Sequence, residues 1–247
     1  MVLLIWALAA DLPRDLSAEV FRWERPHSGL ALSIGVEADA RVSLPIGVLG
    51  EDRIVTPGGT LTNSDHLLYS GLFHPGLGVA LEASLLFGPD RPRGAEPRLS
   101  DNPSLGPYAA IHWDRLGGAS EEDDLGTTIE PDAMEITTIF GGVKGEGIIQ
   151  GPYFGSLRVG IGAVHYESVR ARFSPAASPE FRGEMISDSW TAAMEMRLHF
   201  GWRGGPLALS FGFGFRMMGG PEDGAAMDFE SGILFLLDFD VGAELRF

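Results

Sequence analysis

The stretch ILFLLDFDVGAELRF, residues 233–247, decides the fold class of this chain. Every odd position in it is apolar: Ile233, Phe235, Leu237, Phe239, Val241, Ala243, Leu245 and Phe247. The later even positions are mostly charged: Asp238, Asp240, Gly242, Glu244 and Arg246. Successive residues of a β-strand point to opposite faces, so this period of two predicts a strand with one apolar face and one charged face.

The same alternation recurs along the chain and predicts an all-β protein. The predicted strands cover residues 30–48, 77–87, 105–113, 134–145, 153–169, 190–202, 207–216 and 233–247. The first of them can be read as one long strand or as two strands joined at residues 38–40. The pattern therefore predicts eight strands, with ten as the alternative.

The links between these strands alternate in length. Those at 50–76, 114–133, 170–188 and 217–231 are long and polar, whereas those at 146–152 and 203–206 are short. Transmembrane β-barrels have short periplasmic turns and long external loops. The exception is 88–104, which is rich in Pro and Arg and too long for a periplasmic turn.

The overall composition excludes several classes of protein. No stretch reaches the roughly 18 apolar residues of a membrane-spanning helix. The net charge of −16 and a single lysine argue against nucleic-acid binding, which needs clustered positive charge. Cysteine is absent, so disulfides, thiolate metal sites and thiol nucleophiles are excluded. The 34 glycines suit tight turns and curved sheets.

The size of the apolar face distinguishes a membrane barrel from a soluble one. That face carries most of the large rings, whereas the opposite face is rich in Gly, Ala and Ser interspersed with charges. Because an eight-stranded barrel has an interior just wide enough for side chains to fill, the rings fit only on the outside. We therefore predict an eight-stranded antiparallel up-and-down transmembrane β-barrel.

The distance between two tryptophans on one predicted strand can be compared with the thickness of a membrane. Trp190 and Trp202 are twelve residues apart, which is roughly 40 Å of strand and roughly 30 Å after a tilt of about 40°. That span matches an apolar band flanked by two aromatic girdles. We assign the girdles to Trp113, Trp190, Trp202 and Phe247. The alternative places Trp190 and Trp202 in the core of a soluble sandwich.

With these strands, links and the terminal phenylalanine, residues 30–247 resemble the small bacterial outer-membrane barrels, such as the OmpA transmembrane domain, OmpX and OmpW. The resemblance implies a monomer in the bacterial outer membrane, surrounded by outer-membrane lipid and lipopolysaccharide. It also implies that the ending at Phe247 is read by the barrel-assembly machinery. It says little about activity, because one fold hosts many functions.

The remaining N-terminal part divides into two segments. Residues 1–10 are an apolar run ending in small residues, which we interpret as a signal-peptide remnant although no positive charge precedes it. Residues 11–29 are then an N-terminal periplasmic segment. A short buried strand or helix at residues 1–10 is the alternative.

Six charged residues fall near mid-depth on the inner face. They are Glu37, Glu82, Arg158, Glu195, Arg197 and Asp240. Buried charges must be paired or hydrated, so we predict a structural charge network in the lumen, with a conducting path as the alternative. Glu244 and Arg246 lie nearer the periplasmic mouth, where we expect pairing to matter less. We expect no metal and no cofactor.

Two other groups of residues could carry chemistry. The acidic run at 121–124 lacks the spacing of a calcium loop, and we interpret it as a solvated loop. His165, Glu167 and Ser168 lie near the external end of one strand, but Ser168 faces away from the other two. We therefore expect a structural, surface-interaction or narrow-pore role and no enzyme. A lipid-modifying hydrolase or acyltransferase and a soluble lipocalin-like binder are the alternatives.

Overall fold

A computed structural model describes residues 30–56, 59–89, 104–122, 126–176, 179–229 and 232–247 of the chain. The N-terminal predictions for residues 1–10 and 11–29 lie outside these residues, as does most of the link 88–104. Within the described part, no helix is long and apolar enough to span a membrane.

Eight antiparallel strands close into a barrel. They are β1 (Leu30–Ile46), β4 (Gly76–Pro89), β5 (Ser104–Leu116), β8 (Met134–Gln150), β9 (Tyr153–Tyr166), β12 (Ser189–Gly204), β13 (Leu207–Gly219) and β15 (Ile233–Arg246). Each pairs with the next along the chain, and β1 pairs with β15. The eight-stranded prediction is confirmed. The alternative of ten strands is wrong, because β1 runs unbroken through residues 38–40.

Short turns lie at one end of the barrel, which we call the turn end. Two-residue turns join β8 to β9 and β12 to β13, and their glycines, Gly151 and Gly205, have φ values of 54° and 63°. That backbone region strains residues with a Cβ, so glycine suits both turns. The last residue also lies at this end, where Ile34 and Phe247 exchange backbone hydrogen bonds of 3.0 and 2.9 Å.

The long links at the other end, the loop end, contain secondary structure of their own. One three-stranded sheet is formed by β2 (Val48–Thr56), β3 (Gly59–Leu68) and β14 (Met227–Phe229). A four-stranded sheet is formed by β6 (Glu121–Glu122), β7 (Thr128–Pro131), β10 (Val169–Ser174) and β11 (Phe181–Ile186). The helical turn α1 (Tyr69–Leu72) follows β3. The links expected to be plain polar loops are therefore folded extensions of the barrel.

The outer surface of the barrel is apolar. Ile161 is 74% exposed and Phe211 is 60% exposed, and large apolar side chains project outward from all eight strands. The register aligns them across neighbouring strands, since Phe239 lies opposite both Val42 and Phe213. A soluble barrel would turn this face inward, so the soluble lipocalin-like alternative is wrong and the barrel has the surface of a transmembrane protein.

The main apolar core lies inside the barrel at the loop end. Inward-facing strand ends and the loop sheets contribute to one cluster of fully buried residues, which we call the apolar lid: Leu49, Ile54, Leu72, Phe73, Leu116, Ile129, Met134, Ile136, Val164, Tyr166, Val169, Phe173, Met185, Ile186, Met218, Met227, Leu234 and Leu236. The sequence pattern predicted an inner face of small and charged residues along the whole strand. The lid shows that this description holds only below the loop end.

Candidate functional site in the barrel interior

All six charged residues predicted for the lumen are buried inside the barrel. They come from five strands: Glu37 from β1, Glu82 from β4, Arg158 from β9, Glu195 and Arg197 from β12, and Asp240 from β15. Their chain neighbours on each strand point outward, so the period of two sets their direction. Together with other inward charges they form three clusters below the apolar lid.

The upper cluster lies directly below the lid and centres on Arg216. Its Nε and Nη2 atoms donate to the two oxygens of Asp238 at 2.7 and 2.8 Å, and its Nη1 donates to Asp114 at 2.6 Å. Arg41 donates to Asp114 from Nε at 2.8 Å. Ser43 donates to Asp238 at 2.7 Å. Two arginines face two aspartates, so this cluster is electrically balanced.

The middle cluster contains all six predicted residues. Lys144, Arg158 and Arg197 connect most of its carboxylates. Lys144 donates to Glu82 at 2.9 Å and to Glu37 at 3.1 Å. Arg158 also reaches both of these carboxylates, with its Nη1 lying 2.8 Å from Glu82 Oε2. Two glutamates that repel each other across β1 and β4 are thereby held together by two cations.

The remaining members of the middle cluster come from β12, β15 and β1. Arg197 donates to Asp240 at 2.8 Å, and the Tyr108 hydroxyl donates to Glu195 at 2.7 Å. His199 lies between two carboxylates, with Nδ1 3.3 Å from Glu37 and Nε2 3.1 Å from Asp240. The last member, Asp39, is buried beside Arg158 and Arg197.

The turn-end cluster surrounds Glu146. Arg203 donates to its two oxygens at 2.7 and 2.9 Å, and Arg246 donates to the same oxygens at 2.7 and 2.6 Å. Arg246 also binds Glu244. The expectation that pairing matters less at this mouth is wrong, because Glu146 and Glu244 are buried there and need partners.

Sequence analysis missed more than half of this network. The residues it did not single out are Asp39, Arg41, Asp114, Lys144, Glu146, His199, Arg203, Arg216 and Asp238. Each of them occupies an inward-facing position in the alternation of its strand. The period of two could therefore have predicted that they lie on the inner face. It could not have paired most of them. Arg216 and Asp238 lie on the neighbouring strands β13 and β15, but partners such as Arg41 and Asp114 lie on strands that are not paired with each other.

Acids outnumber bases in the described part of this network. The upper cluster and the turn-end cluster each hold two carboxylates and two arginines. The middle cluster holds five carboxylates, Glu37, Asp39, Glu82, Glu195 and Asp240, against three cations, Lys144, Arg158 and Arg197. The surplus of negative charge is therefore confined to the middle cluster.

The residues predicted for the aromatic girdles lie on the outer surface. Trp113 and Trp190 are exposed near the loop end, and Trp202 and Phe247 are exposed near the turn end. Trp190 lies opposite His165, and their rings are 4.8 Å apart. Trp202 lies opposite the exposed Tyr153. Exposed rings are thus placed near both rims of the apolar surface.

The residues considered for enzymatic chemistry lie at the loop end. His165 contacts Asp188 through Nε2 at 3.1 Å. Glu167 and Ser168 are exposed in the following link, and within the described residues Ser168 makes no hydrogen bond to His165. This arrangement holds no hydroxyl against the imidazole, as activation of a nucleophile requires.

The acidic run 121–124 is only partly described. Glu121 and Glu122 form β6 and pair with β7, so they belong to the loop-end sheet and not to an open loop. Partial burial raises the pKa of Glu121 above its ordinary value. Glu122 is exposed.

The fold and its interior define a closed eight-stranded barrel with an apolar outside and a charged inside. The structures it is similar to include Ail, the attachment invasion locus protein of Yersinia pestis, in complex with a heparin analogue, at 11% identity and a TM-score of 0.37. Others are Neisserial surface protein A, at 11% and 0.38, and the outer membrane protease OmpT from Escherichia coli, at 12% and 0.35.

These alignments cover 86–87% of this chain and 97–99% of the solved structures. No protein-family model matches the sequence, and no curated protein matches it.

Replacing Arg216 with Met should strongly destabilise the barrel. The substitution keeps an unbranched stem but removes the guanidinium group. Asp114 and Asp238 are then buried without their shared arginine, which costs about 3–5 kcal/mol for a broken buried pair. Urea titration of the barrel refolded in lipid vesicles would measure this loss. The matched control is Arg182→Met, which removes an exposed arginine paired with Asp132 and should change the stability little. Equal stabilities of the two variants would contradict the role given to the upper cluster.

Proposed function

We propose that this chain is an integral protein of the bacterial outer membrane that acts through its loop end, as a structural and surface-interaction protein, and does not pass solutes. The observation that carries this proposal is the closed interior. Fully buried apolar side chains fill the loop end, and buried ion pairs fill the space below them. A narrow pore needs a hydrated path, and this packing favours none.

The outer surface supports the membrane location. A continuous apolar band with exposed rings near both rims suits a bilayer flanked by two interfaces. Lipid and lipopolysaccharide of the outer membrane would be the neighbours of this band. Backbone hydrogen bonds join Phe247 to Ile34 and extend the closing pair of strands, and recognition of this pair by the barrel-assembly machinery is part of the proposal.

The loop end supports an interaction role because it is folded and strongly charged. The two loop sheets present backbone fixed by hydrogen bonds, so their exposed side chains occupy defined positions. Residues 47–75, 117–133, 167–188 and 220–232 hold seventeen acidic and four basic residues, a net −13 of the −16 carried by the whole chain. A surface of this sign attracts cationic partners and repels anionic ones.

A recess on the four-stranded sheet offers one place for contact. It encloses about 520 Å³ and is lined by Glu130, Pro131, Asp132, Arg172, Glu180 and Arg182. Its arginines are already paired, with Arg172 Nε 2.6 Å from Glu180 and Arg182 Nη2 3.1 Å from Asp132. A cationic side chain entering the recess would find carboxylates whose present partners are exposed and readily displaced.

The loop end should bind a cationic peptide. We expect fluorescent deca-lysine to bind the barrel in nanodiscs, with an affinity that falls as salt is raised. Fluorescence anisotropy would measure it. Changing three exposed acids on different links, Glu122, Glu167 and Glu222, to Gln should weaken binding severalfold.

The matched control for this binding test removes three acidic charges from a different link of the sequence. Asp90→Asn, Glu96→Gln and Asp101→Asn lie in the link between β4 and β5, and these changes should leave the binding unchanged. If both triple variants weaken binding equally, the effect comes from the total charge and the loop end is not the binding surface.

Deleting Phe247 should lower the amount of folded barrel in the outer membrane. The deletion removes two backbone hydrogen bonds that close β1 on β15, together with an outward ring at the turn end. Heat-modifiable gel migration of detergent-extracted outer membranes would measure the folded fraction, with Glu122→Gln as the control that leaves the closing pair intact. Recovery of the full-length protein without detergent, in the soluble fraction, would show that the proposed location is wrong.

A further inference from the structure

Three buried side chains of the middle cluster have the composition of a metal site. One donor atom from each of Glu37, Asp39 and His199 lies within 4.8 Å of the other two. We propose that these residues bind a divalent transition-metal ion inside the barrel. The site is separate from the loop end and independent of the surface-interaction role proposed above.

Asp39 is the observation that points to a ligand. It is only 4% exposed, and among the described residues neither of its carboxylate oxygens has a hydrogen-bond partner. The nearest cations, Arg158 and Arg197, lie 3.8 and 3.9 Å from Oδ2, too far to donate a hydrogen bond. Leaving a buried carboxylate in this state is costly, and a metal ion would supply the missing partner.

His199 is oriented as a metal-binding imidazole would be. Its Nε2 lies 3.1 Å from Asp240 Oδ1, and its Nδ1 lies 3.3 Å from Glu37 Oε1. Metal-bound histidines commonly give their other ring N–H to a carboxylate, which fixes the tautomer and the ring. Asp240 can take that role with a small rotation of either side chain, leaving Nδ1 as the nitrogen for the metal. Arg158 Nη2 lies 3.3 Å from Nδ1, and a bound metal ion would take the place of that contact.

The two carboxylate oxygens of Glu37 have different surroundings. Oε2 is held by Lys144 and Arg158. Oε1 faces His199 and accepts a hydrogen bond of 3.1 Å from Ser210. One oxygen therefore anchors the side chain while the other is available to a metal.

The charge balance of the cluster favours a doubly charged ion. With His199 neutral, as a metal ligand must be, the five carboxylates among the described residues exceed the three cations by two, whereas the upper cluster and the turn-end cluster are balanced. A divalent cation would bring the middle cluster to neutrality at the place where its unpartnered carboxylate lies.

Two glycines make room for these ligands. A Cβ on Gly242 would collide with the carboxylate of Asp39, and one on Gly212 would collide with the ring of His199. Both face the site from β15 and β13, where a larger side chain would displace a ligand.

The donor set defines the class of metal. One imidazole nitrogen and two carboxylate oxygens suit zinc, manganese, ferrous iron or cobalt. Calcium and magnesium prefer all-oxygen sites, so the imidazole argues against them.

Zinc retention tests this proposal. Because the site is enclosed, the full chain is refolded into detergent micelles with equimolar ZnCl₂, desalted, and analysed for zinc by mass spectrometry. We expect close to one zinc per folded barrel. His199→Gln should lower the retained zinc about tenfold or more, and Asp240→Asn should weaken binding about 10–100-fold through loss of the orienting carboxylate.

Two matched controls identify the site. His112→Gln changes the other buried lumen imidazole, and His165→Gln changes an exposed one at the loop end, so both should retain zinc as the original chain does. Asp39→Asn keeps the shape of the ligand and tests the site if His199→Gln does not fold. It should also lose zinc.

Three results would overturn the proposal. The first is a folded original chain that retains no zinc. The second is full retention by folded Asp39→Asn or His199→Gln. The third is loss of zinc only in His165→Gln, which would place the metal on the surface.

Discussion

The structure depends on ion pairs between charged side chains that project from the strands into the barrel interior. Arg216, Arg158 and Glu146 each contact partners on two or more other strands, so the pairs tie together strands far apart in the sequence. Water cannot replace a missing partner in so enclosed a space, and an unpaired charge there is strongly destabilising. The outer surface contributes no comparable constraint, because its exposed apolar side chains carry no charge that needs a partner.

The apolar lid and the charge network divide the interior by depth. At the loop end the links fold back as two sheets and bury Leu234, Leu236 and Tyr166 with residues of their own. Below this level most inward side chains are polar or charged, with a few buried apolar ones such as Phe140 and Phe154 among them. Buried side chains thus occupy both levels of the described interior, which supports the proposal that the barrel acts at its loop end.

The period of two predicted the architecture well, because it depends only on which way each strand residue points. It gave eight strands, the closing strand 233–247, the two tight turns and the inward direction of the six predicted charges. It could not give the partners of Arg158 or Arg216, which are set by barrel closure and by side-chain length across the lumen. It also missed the loop sheets, because the apolar residues of these links, such as Ile129 and Phe173, are scattered among polar ones without a clear period and become recognisable as core only once the lid is assembled.

We propose that this membrane barrel has a closed interior and acts at its loop end. Planar-bilayer recording of ionic current through the purified protein tests most directly whether the interior is closed. We expect no steady single-channel current in the original chain, and at most small, intermittent, cation-favouring events, since carboxylates exceed cations in the middle cluster. Large, steady channels in most insertions would contradict the account, because they require an open, hydrated path through the lid and the charge network.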